Sequence, residues 1–140
     1  MSVRTVRSLL EHAPATVDVR STLSEVAGVL RRRGGDAVAV VREGRFVGLV
    51  LARDLAAARP SAATTLDVRE AARALGRMPV TAIMRADVAT VIPETPLAEV
   101  ARLVRDTGVP VVVLAGDTLV GVVGAGALLA LLERAPAAEG

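Results

Sequence analysis

The sequence predicts an α/β fold in which one βαββα unit occurs twice within a single domain. The chain has 140 residues, which is long enough for one hydrophobic core and short for two ordinary domains. Apolar runs of strand length alternate along it with segments of helical periodicity. The chain also matches itself at a fixed offset, which indicates that both halves follow one structural plan.

The internal repeat is seen most clearly as residue identities at one shift. Moved by 74 positions, the run Ala15-Thr16-Val17 falls on Ala89-Thr90-Val91, and Glu25-Val26-Ala27 falls on Glu99-Val100-Ala101. After a one-residue deletion the shift becomes 73, and Val47-Gly48 falls on Val120-Gly121. These identities predict a first repeat at about 5–59, a linker helix at about 60–78 and a second repeat at about 79–134.

The first repeat contains each element of the predicted unit. Ser21 or Thr22 is expected to cap a helix whose apolar residues are spaced as on one helix face, and Glu25 stands three positions after Thr22, as in a capping box. Gly34 predicts the end of that helix. The pattern gives a strand at 15–19, a helix at 23–33, strands at 37–41 and 46–51, and a short helix that Asp54 opens and Pro60 closes.

The linker and the second repeat contain the same kinds of helix, strand and turn signals. We expect a loop at 60–65, then a helix that Asp67 caps and that ends at Gly76. The second unit comprises a strand at 89–92, a helix from Thr95 with Pro96 at its first position, strands at 111–114 and 119–123, and a helix at 127–133. Residues 135–140 are expected to fray.

Composition narrows the class of protein. Hydrophobic residues make up 52% of the chain, which excludes a disordered tail, and the net charge of +2 gives no reason to expect a nucleic-acid partner. The absence of cysteine excludes disulfides and thiolate sites. The longest apolar stretch, 119–132, is shorter than the roughly 20 residues of a membrane span, and the N-terminus lacks a signal peptide. We therefore expect a cytoplasmic protein without a membrane partner.

No catalytic or metal-binding constellation is found, so we predict that the chain is not an enzyme. His12 is the only histidine, and a lone histidine beside a loop is more often solvated than a ligand or a base. The run Arg31 to Arg33 is best explained as a solvated helix C-terminus. Gly124-Ala125-Gly126 opens a helix after a strand, but Leu129 stands where a dinucleotide loop needs its third glycine.

A set of motifs occurs in the same order in both halves of the chain, and this set resembles the CBS-domain pair, also called the Bateman module. In the first copy the motifs are Ala15-Thr16-Val17, the run Gly44 to Val50, and Arg53-Asp54-Leu55. In the second copy they are Ile83-Met84, Ala89-Thr90-Val91, Thr95-Pro96-Leu97 and the run Leu119 to Val123. The similarity covers about residues 5 to 132.

The resemblance implies two motifs packed about a pseudo-twofold axis, with clefts that bind adenosine-containing ligands. An aspartate of the family accepts hydrogen bonds from the ribose hydroxyls, and a carboxylate suits a vicinal diol because it only accepts. For this chain, the resemblance implies that the ligand-binding residues are Thr16, Gly48, Leu49, Arg53 and Asp54. It also implies that no cofactor is required and that the ligand is AMP, ADP, ATP or S-adenosylmethionine.

The chain departs from the family pattern at four positions. Leu51 replaces a hydroxyl residue in the first copy, whereas Gly124 and Ala127 replace the hydroxyl residue and the aspartate in the second. Arg85 stands where a threonine often follows the methionine. At most one ribose site is therefore expected, around Asp54, and this residue can equally be explained as an acid at a helix start.

Two functions are compatible with the sequence. The first is a regulatory module that senses an adenine nucleotide near Asp54 and acts on a partner protein that the sequence does not identify. The second is a degenerate CBS pair that binds no nucleotide and serves as a dimeric interaction scaffold. The resemblance implies a homodimer in either case, and the leucines of the last helix offer an apolar face for it.

Overall fold

The computed structural model describes residues 4–10, 12–59 and 67–134, and these form two compact units. The first unit comprises the described residues between 15 and 87, and the second comprises those before 15 and after 87. Strands and helices alternate in both, which confirms the predicted α/β class. The predicted end of a helix at Pro60, the loop at 60–65 and the frayed end at 135–140 lie outside the described residues.

The first unit is a three-stranded sheet with helices. Strand β1 pairs parallel with β2, and β2 pairs antiparallel with β3 through a tight turn at Glu43 and Gly44. The elements are β1 (Thr16–Asp18), α1 (Leu23–Arg33), β2 (Ala37–Arg42), β3 (Arg45–Leu51), α2 (Ala52–Ala58), α3 (Val68–Arg77) and a short 3₁₀ helix, Val80–Ala82.

The second unit repeats the order strand, helix, strand, strand, helix, which confirms the repeated unit predicted from the sequence identities. Its elements are a 3₁₀ helix (Val6–Leu9), β4 (Thr90–Val91), α4 (Leu97–Thr107), β5 (Val111–Ala115), β6 (Thr118–Val123) and α5 (Ala125–Arg134). Strand β4 is parallel to β5, and β5 is antiparallel to β6. Even the register shift recurs, between Val40 and Val41 in one hairpin and between Val113 and Leu114 in the other.

Helix α1 begins and ends as its sequence predicts. The backbone N–H of Glu25 donates to Thr22 Oγ1 at 3.4 Å, so the predicted cap is present. Gly34 ends the helix at a φ of +71°, a conformation that side chains with a Cβ rarely adopt. Three arginines occupy the last turn, where cations favour the negative end of the helix dipole.

Helices α2 and α5 begin earlier than predicted. Helix α2 begins at Ala52, so Asp54 lies within its first turn and does not open it. The backbone stays extended only as far as Leu51, which occupies the N-cap position without a side-chain cap. Helix α5 likewise begins at Ala125 and not at residue 127. In both repeats the chain turns directly from the last strand into the helix, so no polar capping residue marks the start.

Helices α3 and α4 also differ from prediction at their ends. Asp67 holds the N-cap position of α3, but its side chain makes no capping hydrogen bond, and the helix continues to Arg77. Pro96 is the N-cap of α4 with an extended ψ of 141°, so the helix begins one residue after it. The Thr95 hydroxyl instead accepts a hydrogen bond from the backbone N–H of Ile92 at 3.2 Å, which stabilises the preceding turn.

Each unit has its own aliphatic core. Buried members of the first core are Val17, Leu23, Val26, Val38, Val40, Val50, Leu55 and Val80. Those of the second are Val6, Val100, Val104, Val111, Val113 and Val123. Val26 on α1 and Val100 on α4 are equivalent in the repeat, so the two helices bury equivalent faces.

The segment that leads into each repeat belongs to the core of the other half. Val6 donates its backbone N–H to the carbonyl of Thr95 at 2.8 Å and lies in the second core. Equivalently, Val80 donates to the carbonyl of Ser21 at 2.9 Å and lies in the first core. The compact units therefore do not coincide with the sequence repeats at these two segments.

Candidate functional site

Asp54 presents a partly buried carboxylate at the start of α2. The helix leaves β3 directly after Leu51, and this places Asp54 in its first turn, where the helix dipole favours a negative charge. The Asp54 side chain is 25% exposed. The carboxylate is therefore held by the fold and yet remains accessible from solvent.

Arg85 binds both oxygens of this carboxylate. Its Nε donates to Asp54 Oδ2 at 2.7 Å, and its Nη2 donates to Asp54 Oδ1 at 3.0 Å. This parallel pair of bonds is the strongest arrangement available to an arginine and a carboxylate. The hydrogen bonds from Arg85 hold the pKa of Asp54 below its ordinary value, although desolvation acts in the opposite direction. The same contact raises the pKa of Arg85, so both groups are charged at neutral pH.

The backbone of Arg85 is fixed against β3. Its N–H donates to the carbonyl of Leu49 at 2.8 Å, and its carbonyl accepts from the N–H of Leu49 at 2.9 Å. The neighbouring Gly48 makes this approach possible. A Cβ at position 48 would lie 2.7 Å from Met84 Sδ and 3.2 Å from the carbonyl oxygen of Arg85. The close approach of the two segments therefore favours glycine at this position.

Four of the five predicted ligand-binding residues lie around this contact. Leu49 holds the backbone of Arg85, Gly48 leaves room for that segment, and Asp54 binds the Arg85 side chain. Arg53 is exposed, and its charge acts on Asp54 across a short range. Thr16 lies elsewhere in the unit, on β1 opposite Ala39, with an exposed side chain. The described contacts do not bring Thr16 to Asp54.

Leu51 is part of the core, which explains why a hydroxyl residue is absent there. Its side chain is only 2% exposed. Full burial of a leucine contributes roughly 1.5–3 kcal/mol, more than a hydroxyl cap of about 1 kcal/mol would return. The position that carries a hydroxyl in the family pattern thus has a packing role in this chain.

The equivalent position in the second unit has no comparable chemistry. Gly121 is buried opposite Val113 as Gly48 is opposite Val40, but the position equivalent to Asp54 is the exposed Ala127. A Cβ at position 121 would meet the Leu10 side chain. The carboxylate site is therefore present in one repeat only.

A cavity of about 420 Å³ lies between α1, α2 and α3 of the first unit. Its walls are mainly aliphatic, with Ser24 and Arg59 as polar members; the apolar lining includes Leu23, Ala27, Leu55, Val68, Ala72 and Leu75. The cavity could not be predicted from the sequence, because its lining residues are spread over three helices and look like ordinary core positions.

The remaining candidate residues lie at the surface. His12 and the run Arg31 to Arg33 are exposed. Within the described ranges no three acidic or histidine side chains gather in a way that could hold a metal ion. No helix in this part of the chain is long and apolar enough to cross a membrane.

Comparison with known proteins assigns the family. The sequence profile of the CBS domain matches residues 6–61 and 80–134, so the chain belongs to the CBS-domain family and carries the domain twice. No curated protein sequence matches it.

Solved structures with the same fold include a putative acetoin utilization protein (AcuB) from Vibrio cholerae. It is 22% identical, with a TM-score of 0.77, and the match covers 95% of this chain and 93% of that one. A CBS-domain pair of protein MJ0100, in complex with 5′-methylthioadenosine and S-adenosyl-L-methionine, is 21% identical with a TM-score of 0.76, covering 94% and 98% of the two chains. The CBS domain of a membrane protein from Sphaerobacter thermophilus is 23% identical with a TM-score of 0.75, covering 91% and 86%.

Proposed function

We propose that this regulatory CBS pair binds an adenosine-containing nucleotide beside Asp54 and transmits its occupancy to a partner protein. The observation that carries the proposal is the Asp54 carboxylate, which accepts two donors side by side at 2.7 and 3.0 Å. A ribose diol offers two O–H donors to the same pair of oxygens. The solved complex of MJ0100 with adenosine compounds supports this class of ligand.

The test is a thermal-shift titration of the purified chain with AMP, ADP, ATP, S-adenosylmethionine and NAD, alongside an Asp54→Ala variant. A ligand at 100 times its dissociation constant stabilises a protein by about 2.7 kcal/mol, which such a titration detects readily. We expect one of these ligands to raise the Tm of the wild type and to have little effect on Asp54→Ala. No shift at millimolar concentration contradicts the proposal for these ligands.

A second candidate function is the degenerate CBS pair that serves as a dimeric scaffold without nucleotide. The observation in its favour is that Arg85 already binds both oxygens of Asp54, while Ala127 leaves the second repeat without an acid. The titration decides between the two, because the scaffold requires that every ligand leaves the Tm unchanged.

The homodimer, the cytoplasmic location and the absence of a catalytic step belong to both proposals. Two large apolar side chains on α5 support self-association, since Leu129 is 57% and Leu132 68% exposed. Sedimentation equilibrium at micromolar concentration tests the dimer, and a monomeric mass for the wild type would contradict it.

A further inference from the structure

Arg85 and a ribose would compete for the same oxygens of Asp54. The guanidinium takes one lone pair on Oδ1 and one on Oδ2 in a parallel pair of hydrogen bonds. A vicinal diol that donates one O–H to each oxygen side by side needs the same two lone pairs, because the second lone pair of each oxygen points away from the side that the two oxygens share. If the proposed function holds, on which this inference rests, binding of ribose at Asp54 therefore requires that the Arg85 side chain leaves.

The structure allows that side chain to leave without disturbing the fold. The backbone of Arg85 is held by two hydrogen bonds to Leu49, at 2.8 and 2.9 Å, independently of what the guanidinium contacts. The side chain itself is 40% exposed, so solvent already reaches it. Rotation about its side-chain bonds is therefore sufficient to open the carboxylate.

A displaced Arg85 needs a new acceptor, because its guanidinium remains charged at any physiological pH. The neighbouring charges offer little compensation: Arg53 adds a second exposed cation, and Asp87 is an exposed carboxylate that acts on Arg85 without a hydrogen bond. A phosphate on the ligand would replace the lost carboxylate, since phosphate accepts the same fork of N–H donors. A ligand without an anionic group would leave the guanidinium with water alone.

We propose that the Arg85–Asp54 ion pair is a latch that admits anionic adenosine nucleotides and disfavours uncharged adenosine compounds. The latch opens when the diol takes Asp54 and the phosphate takes Arg85 in the same binding event. Arg85 is a specificity-determining residue in this scheme, and its effect depends on the chemical difference between AMP and adenosine.

The experiment is isothermal titration calorimetry of the wild type with AMP and with adenosine, which differ by the phosphate alone. Loss of one charge-assisted contact corresponds to about tenfold in affinity, so we expect AMP to bind the wild type at least about tenfold more tightly than adenosine. In Arg85→Thr the latch is absent, and we expect adenosine to gain affinity until the two ligands differ by less than about threefold.

Two further variants separate the latch from a general effect of charge. Arg85→Lys keeps the cation without the planar fork, so it should retain a preference for AMP while adenosine binds better than to the wild type. Arg102→Ala removes an exposed arginine from α4 in the second unit and should leave both affinities unchanged. Far-UV circular dichroism and the Tm of each variant establish that it is folded.

The outcomes distinguish the latch from the function on which it rests. Equal affinity of the wild type for AMP and adenosine, with both lost in Asp54→Ala, overturns the latch and leaves the nucleotide site standing. If Arg85→Thr prefers AMP over adenosine by the same factor as the wild type, the latch is likewise overturned and the nucleotide site stands. If neither ligand binds the wild type or Arg85→Thr, the latch fails, and the proposed function fails as well if none of the other ligands of the thermal-shift titration raises the Tm of the wild type.

Discussion

Asp54 and Arg85 derive their properties from each other and not from their own segments. Asp54 is an acid in the first turn of a helix, and Arg85 follows a short 3₁₀ helix 31 positions later. Together they form a bidentate ion pair that occupies the carboxylate predicted to bind ribose. A pair of this kind stabilises the fold only while Asp54 is ionised.

The first prediction concerns the pH dependence of stability. Because the pKa of Asp54 is lower in the folded chain than its unfolded value of 3.8, the folded state binds fewer protons and its stability rises with pH. The contribution is fully present above pH 3.8 and is lost as the pH falls through the lower, folded pKa. Wild type should therefore melt above Asp54→Asn at pH 6, and the difference in Tm should shrink as the pH falls below 3.8.

The measurement is thermal unfolding followed by circular dichroism from pH 2 to pH 7. Glu43→Gln removes a carboxylate from the exposed turn between β2 and β3 and controls for the loss of one negative charge. The expected difference is small, since Arg85 is 40% exposed and solvent screens the pair. A difference between wild type and Asp54→Asn that stays constant over the whole range would refute the assignment.

At the scale of elements, the two hairpins are built alike but meet different neighbours. Gly48 on β3 faces Val40, and Gly121 on β6 faces Val113, each beside the register shift of its hairpin. Beyond that likeness, Gly48 is in contact with a backbone carbonyl and a methionine, whereas Gly121 meets the tip of a leucine side chain. The cost of adding a methyl group should therefore differ between equivalent positions.

The second prediction compares Gly48→Ala with Gly121→Ala. The new Cβ at position 48 would lie 2.7 Å from Met84 Sδ and 3.2 Å from the Arg85 carbonyl oxygen, and the backbone cannot yield as a side chain can. We expect a loss of about 1–3 kcal/mol for Gly48→Ala and less than about 1 kcal/mol for Gly121→Ala, where the Leu10 methyl can rotate away. Urea unfolding measures both, and equal losses would contradict the difference in packing.

At the scale of the whole molecule, each half contributes one short segment to the core of the other. Val6 lies in the second core, far along the chain from its other members, and Val80 lies in the first. Backbone hydrogen bonds hold these segments in place, and they include the bonds from Val6 to Thr95 and from Val80 to Ser21. The boundaries of the two compact units therefore differ from those of the two sequence repeats.

The third prediction follows the stability of each unit separately. Val26 and Val100 are equivalent, each is 0% exposed, and each belongs to a different core. Replacing either by alanine removes two buried methyl groups and should cost about 2–3 kcal/mol. Amide hydrogen exchange should then show lower protection at residues 6–10 in Val100→Ala, whereas Val26→Ala should lower it mainly between residues 15 and 87. Loss of protection at residues 6–10 in Val26→Ala alone would contradict the core assignment.

The sequence by itself determined the features that depend on residues close together in the chain, namely the helix α1, the α/β class and the repeated unit. The capping residue Thr22, the helix-ending Gly34 and the apolar periodicity around Val26 act within a few residues, so the α/β class and the repeated unit could be predicted from them. The identities at a shift of 74 indicated the repeat directly. The helix starts at Ala52 and Ala125 could not be predicted, because no polar cap marks them.

Only the tertiary structure decided which distant residues meet. The sequence identified Asp54 as a candidate and Arg85 as a departure from the family pattern, but nothing local indicated that the second would bind the first. The same holds for Gly48 against Met84, for Val6 in the second core and for the cavity between the three helices of the first unit. Contacts between residues remote in sequence arise from packing of the whole chain, and a periodicity or a capping motif contains no information about them.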